Sequence, residues 1–86
     1  MKRLTIKELR DILDSIVDVP VPSENLEEMT LGQDLRMNAT DVTDLSMKIE
    51  QFLGIPIPDR VWCDWAYRLF SLTVKQVISD CNALEQ

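Results

Sequence analysis

The chain has no histidine, two glycines and two cysteines among its 86 residues, and each scarcity removes a class of chemistry. Without histidine the usual general base of a nucleophilic triad is missing. The usual zinc ligand sets go with it, because Cys63 and Cys81 also lack CxxC spacing. Gly32 and Gly54 build no phosphate-cradling loop: LGQDLRMNAT has neither Walker spacing nor its lysine. Basic residues are the minority, 9 against 15 acidic ones for a formal charge of −6. That balance disfavours a phosphate backbone or anionic lipid as partner and favours a basic protein surface, so nucleic acid is not expected. No apolar run approaches the roughly 20 residues of a membrane span. The spacing of Cys63 and Cys81 leaves a disulfide open, but no signal-peptide pattern points to an oxidising compartment, so a cytoplasmic protein is expected, with reduced thiols that are buried or half-buried. Asn38-Ala39-Thr40 matches the N-glycosylation pattern, but without secretion the match is accidental.

What is present is enough for a small packed globule. Hydrophobic residues make up 45% of the chain, against the low share typical of disordered tails. A chain of this length buries only about 60–65% of the surface its unfolded form exposes, so one domain, 1–86, with a single small core and no room for a deep catalytic cleft is expected.

Periodicity predicts an all-α bundle of three main helices and one short one, with a long first loop. Thr5 and Glu8 have capping-box spacing, and Ile6, Leu9, Leu13, Ile16 and Val17 follow at helical intervals. This first helix is expected to end near Asp18, since Pro20 and Pro22 cannot continue it. Residues 18–37 form the long connection, anchored by Leu26, Met29, Leu31 and Leu35, with Ser23 placed to cap a short turn over 24–29. A second helix is expected over 39–53, with Val42, Leu45, Ile49, Phe52 and Leu53 as its apolar stripe, Asn38 as N-cap and Gly54 as stop. Ile55-Pro56-Ile57-Pro58 alternates like a strand, but its prolines remove ladder donors, so it reads as an extended connector with both isoleucines inward. Residues 59–70 hold four of the five aromatic residues and one short helix is placed there. A last helix starts near Thr73, again with capping-box spacing to Gln76, and buries Val74, Val77, Ile78 and Cys81.

Taken in order, the chain reads as a long loop, Asp34-Leu35, an acidic amphipathic helix, Leu53-Gly54-Ile55-Pro56-Ile57-Pro58-Asp59, and a Leu-Thr-Val start to the last helix. Over nearly its whole length this resembles the acyl carrier protein family, whose pattern is roughly D-L-G-x-D-S-L before helix two and F-G-I-x-I-P-D after it. Counted back from Leu53-Gly54-Ile55, the family's Asp-Ser-Leu falls on Asn38-Ala39-Thr40, while Asp34-Leu35 and Ile57-Pro58-Asp59 keep the register on both sides.

The resemblance implies a monomeric four-helix carrier without catalytic residues of its own, holding acyl intermediates of fatty-acid, lipid or related biosynthesis as thioesters on a 4′-phosphopantetheine arm. The arm is attached to a serine hydroxyl, and the cofactor's thiol does the covalent work. Here Ala39 stands at that attachment position, so the chain as written has no oxygen for the phosphodiester. Thr40 points about 100° away and is a poor substitute. Arg36 and Met37 replace the family's glycine and small residue, and Asn38 its aspartate. Two origins fit the methyl group: a serine-to-alanine replacement that keeps a working carrier unmodified, or a natural carrier-like protein that has lost loading. The resemblance further implies docking of Asp41, Asp44 and Glu50, with apolar Met47, onto basic patches of a phosphopantetheinyl transferase and of acyl-chain enzymes. It places Ile49, Leu53 and Ile57 in an acyl pocket, with Ile78 opposite; as ordinary core these four need no ligand. Thr40 and Thr43 stand where the family tends to have Leu and Val, which thins the apolar part of the docking face. Trp62, Trp65 and Leu69 at helical spacing read as reinforcement of a small core, or else as a lid on the acyl pocket or a partner surface. The other reading of the whole is a helical protein-interaction module with no prosthetic group, which would use the acidic face and the aromatic segment.

Overall fold

In the computed structural model, which describes residues 3–84, the helices are α1 (Ile6–Asp14), α2 (Ala39–Leu53), α3 (Asp59–Tyr67) and α4 (Val74–Ala83). A single 3-10 turn, Leu26–Glu28, lies within the first loop. Among the described residues there is no strand, only an isolated antiparallel bridge between Thr30 and Thr73, and no helix is long and apolar enough to cross a membrane. The radius of gyration is 11.5 Å, which is that of a compact domain of this size. Of the expected domain 1–86, residues 1, 2, 85 and 86 lie outside the described residues.

Capping decides where three of the helices begin. Asn38 and Thr73 each form a full capping box, with Asp41 and Gln76 respectively returning a side-chain oxygen to the cap's N–H. Thr5 caps α1 more weakly: its hydroxyl accepts from Glu8 N at 3.5 Å and donates to the Glu8 carboxylate at 2.8 Å. α2 ends at Gly54, whose φ of 74° is the left-handed conformation that closes a helix. α1 stops at Asp14, a turn before the expected Asp18. Ile16 N–H bonds Leu13 O at 2.9 Å, the Ser15 hydroxyl donates to Ile12 O at 2.6 Å, and the tightened last turn releases the chain early. Arg10 then donates to Val21 O at 3.2 Å and draws the proline-bearing segment back along α1.

The long loop is part of the core. Val21, Leu26, Leu31, Leu35 and Met37 are all buried, whereas Met29 is half-buried. The expected turn lies later than Ser23 predicts: Asn25 takes the left-handed conformation before Leu26–Glu28, and no side chain caps it. Backbone bonds then stitch the loop to the α3–α4 junction, with Leu31 N–H to Leu72 O, Gly32 N–H to Leu69 O and Val74 N–H to Met29 O, at 2.9, 2.9 and 3.0 Å. Gly32 permits this approach, because a Cβ there would lie 2.8 Å from the Leu69 side chain and 3.0 Å from its carbonyl oxygen. Asn82 of α4 clamps the segment before α1, accepting from Leu4 N at 2.9 Å and donating to Leu4 O at 3.1 Å.

α3 has nine residues, as many as α1. It contributes Trp65, fully buried, whose indole N–H donates to Asp80 of α4 at 2.9 Å. Trp65 and Leu69 are core, as expected, while Trp62 is half-buried and bonded to Asp59 at 3.1 Å. Tyr67 and Phe70 are 91% and 70% exposed, so the aromatic segment is divided between core and surface. Both cysteines are free thiols. Cys81 is buried as expected, and Cys63 is exposed, because its position on α3 points away from the Trp65 face.

Candidate functional site

The start of α2 is built by a tight turn. Asp34 accepts from Thr30 N at 2.8 Å and from the Thr30 hydroxyl at 3.2 Å, so the Asp-Leu pair begins with a carboxylate that ties the loop to itself. Leu35 and Met37 then point into the core with Arg36 exposed between them. Arg36 has φ of 59°, a conformation that costs an L-residue roughly 1–2 kcal/mol and glycine almost nothing. Asn38 follows in extended conformation; its side chain accepts from Asp41 N at 2.9 Å, and Asp41 accepts from Asn38 N at 3.1 Å. Ala39 is the first helical residue, and Asn38, Ala39 and Thr40 are all exposed. Position 39 is therefore accessible on a capped helix start, but a methyl group offers no atom for a phosphodiester. The residues present do not fit a covalent phosphopantetheine arm. A cleft of about 370 Å³ borders this start, lined by Ile16, Val17 and Val19 on one side and by Leu35, Arg36 and Asp41 among others on the other.

The acidic residues of α2 do not share one face. At 100° per residue, Asp41 and Glu50 are separated by about two and a half turns and flank the helix on opposite sides. Both are half-buried and both have structural work: Asp41 closes the capping box, and Glu50 accepts from Ile57 N at 2.6 Å. Between these flanks the outward face consists of Thr40, Thr43, Asp44, Met47 and Gln51, all exposed, with Met47 at 52%. Asp44 is the carboxylate of the expected docking set that makes no bond to the described residues. Lys48 is half-buried beside a groove of about 530 Å³ between α1 and α2, whose floor includes Ile12 and Phe52.

Ile49, Leu53 and Ile57 belong to one buried cluster, exposed by 0, 9 and 3%. Ile78 is half-buried and packs against that cluster from α4, less deeply than its helical position predicts. None of these four lines the clefts beside α2 or the cleft between α3 and α4. In this conformation Ile49, Leu53 and Ile57 are packed core and Ile78 lies at its edge.

Comparison with family models, curated proteins and solved structures gives no match.

Two features of the site lay beyond sequence reasoning. The Glu50 to Ile57 bond is one. Ile57 stands between Pro56 and Pro58, which have no N–H, and a buried lone donor needs an acceptor; that signal calls for a partner without saying which. The left-handed Arg36 is the other: arginine gives no local sign of positive φ, and the signal available was the glycine that the resembled family has at that position.

Proposed function

We propose that this chain is a carrier domain of the acyl carrier type, in a form that Ala39 leaves unloaded. The observation that carries the reading is the start of α2: an exposed residue 39 at the first position of a capped helix, at the register where the family bears its attachment serine. Two further observations support it. Arg36, at the family's glycine position, has the left-handed backbone that glycine allows. The Leu-Thr-Val motif has a packing role, with Leu72 and Val74 fully buried around the capping Thr73. The partners in this reading are a phosphopantetheinyl transferase and acyl-chain enzymes of fatty-acid, lipid or related biosynthesis, in the cytoplasm. They would meet the outward face of α2 through Asp44 and Met47, with Asp41 and Glu50 at its edges. Exposed ion pairs are worth about 0–1 kcal/mol each, so docking is weak and salt-sensitive.

The test is to restore the hydroxyl. Ala39→Ser, given coenzyme A and a phosphopantetheinyl transferase, should gain one cofactor by intact mass, while the chain as written gains none. A serine form refused by several transferases would end the carrier reading. The second reading, a protein-interaction module without a prosthetic group, draws on the exposed Met47, Tyr67 and Phe70, and such a refusal would favour it.

A further inference from the structure

α1 packs against α2, and the groove of about 530 Å³ between them lies apart from both the start of α2 and the core cluster around Ile49. Its floor is apolar, made by the half-buried side chains of Ile12 and Phe52. Its walls differ in charge. Glu8 and Asp11 stand on the α1 side, Lys48 and Gln51 on the α2 side. Glu8 is already engaged, accepting from the Thr5 hydroxyl at 2.8 Å. Asp11 and Lys48 form no ion pair with each other or with any other described residue, so opposite charges line opposite walls without closing over the floor. Lys48 is half-buried, and an ammonium partly out of water gains more from a carboxylate than a fully exposed one does. From Glu8 to Ser15 the α1 wall runs about two turns, roughly 10 Å. An open groove of this shape leaves much of a small ligand in water, whereas a helix laid along it covers the floor with side chains.

We propose that the α1–α2 groove is a docking site for an amphipathic helix of a partner protein, whose apolar stripe covers Ile12 and Phe52 and whose stripe is bordered by basic residues on one edge, meeting Asp11, and acidic residues on the other, meeting Lys48. Charge decides the partner: a purely basic helix leaves Lys48 opposed by a like charge, and a purely acidic one does the same to Asp11. The apolar floor supplies attraction and the two walls supply selection. This surface is distinct from the outward face of α2 around Asp44 and Met47, and the proposal does not rest on the carrier reading.

The test titrates the full chain with three synthetic helical peptides of about 20 residues, followed through the NMR shifts of the Ile12 methyls and the Phe52 ring at about 0.15 M salt. All three share one leucine stripe; its two edges are Lys and Glu, Lys and Lys, or Glu and Glu. A helix can lie along the groove in either direction, so exchanging the two edges of the mixed peptide is no control, and the uniform peptides are needed. The parent chain should bind the mixed peptide roughly three- to tenfold more tightly than either uniform one. Asp11→Lys should move the preference to the Glu/Glu peptide, and Lys48→Glu should move it to the Lys/Lys peptide; both positions lie on the helix surface, and an unchanged thermal midpoint shows that the fold is kept. Equal affinity of the parent for the mixed and Lys/Lys peptides would mean general attraction to an acidic chain and overturns the proposal. So does a preference that neither variant moves, binding that shifts Tyr67 and Phe70 or Met47 in place of Ile12 and Phe52, or no shift with any peptide.

Discussion

Arg36→Gly should stabilise the protein, although it removes a large side chain. Arg36 is held at φ 59° by its neighbours: Leu35 and Met37 on either side are 1% and 3% exposed and cannot both stay buried if the backbone between them relaxes. An L-residue in that region costs roughly 1–2 kcal/mol, and glycine removes this cost while losing about 0.5–1 kcal/mol through its freer unfolded chain. The difference is a gain of about 0.5–1 kcal/mol, since the exposed guanidinium makes no hydrogen bond or ion pair with the described residues. For a domain of this size that raises Tm by about 2–8 °C. The assay is urea denaturation of the parent chain, Arg36→Gly and Arg36→Ala, with the m value checked for constancy. Arg36→Ala removes the side chain but keeps the backbone cost, so it should differ from the parent by less than about 0.5 kcal/mol. If Arg36→Gly is no more stable than Arg36→Ala, the left-handed backbone is not where the cost lies and the reasoning fails.

Gly32→Ala should destabilise by about 1–3 kcal/mol, because its methyl would sit 2.8 Å from Leu69 Cγ and 3.0 Å from Leu69 O; a thermal midpoint equal to that of the parent would show that the loop yields freely. Burial, with help from Asp80, pushes the Cys81 thiol up to about 12 from an ordinary value near 9. The raised value means that the thiol's contribution to stability is whole below about pH 9 and lost as pH rises towards 12. Stability at pH 10 should therefore fall by roughly 1 kcal/mol more in the parent chain than in Cys81→Ala, read as the difference between their urea profiles at pH 7 and pH 10. Asp41→Ala should cost about 1 kcal/mol by opening the α2 capping box, whereas Asp44→Ala should change stability by less than about 0.5 kcal/mol and weaken association with a transferase at low salt. The reverse pattern would exchange their roles. Cys63 should react with one equivalent of an aromatic disulfide reagent in the native state and Cys81 only after denaturation, since one thiol is exposed and the other buried.

The features that sequence determined by itself are local ones. α2 runs over the expected 39–53 because its stripe, the Asn38 cap and the Gly54 stop all act within one or two turns of chain, and Thr73 starts α4 for the same reason. The burial of Val42, Leu45, Ile49 and Leu53 follows from that periodicity, and the exposure of residue 39 follows from its place at the first turn. Tertiary structure decided what depends on partners distant in sequence. The early end of α1 goes with the return of Val21 to Arg10, the path of the long loop depends on carbonyls at 69 and 72, and Asn82 reaches back to Leu4. The same holds for charge: Asp41, Asp44 and Glu50 look alike in one dimension, but the Ile57 N–H and the capping box separate their tasks. Periodicity assigns a face to each side chain, whereas the bonds it makes depend on which distant backbone groups folding leaves without water, and these exist only once the chain has closed on itself.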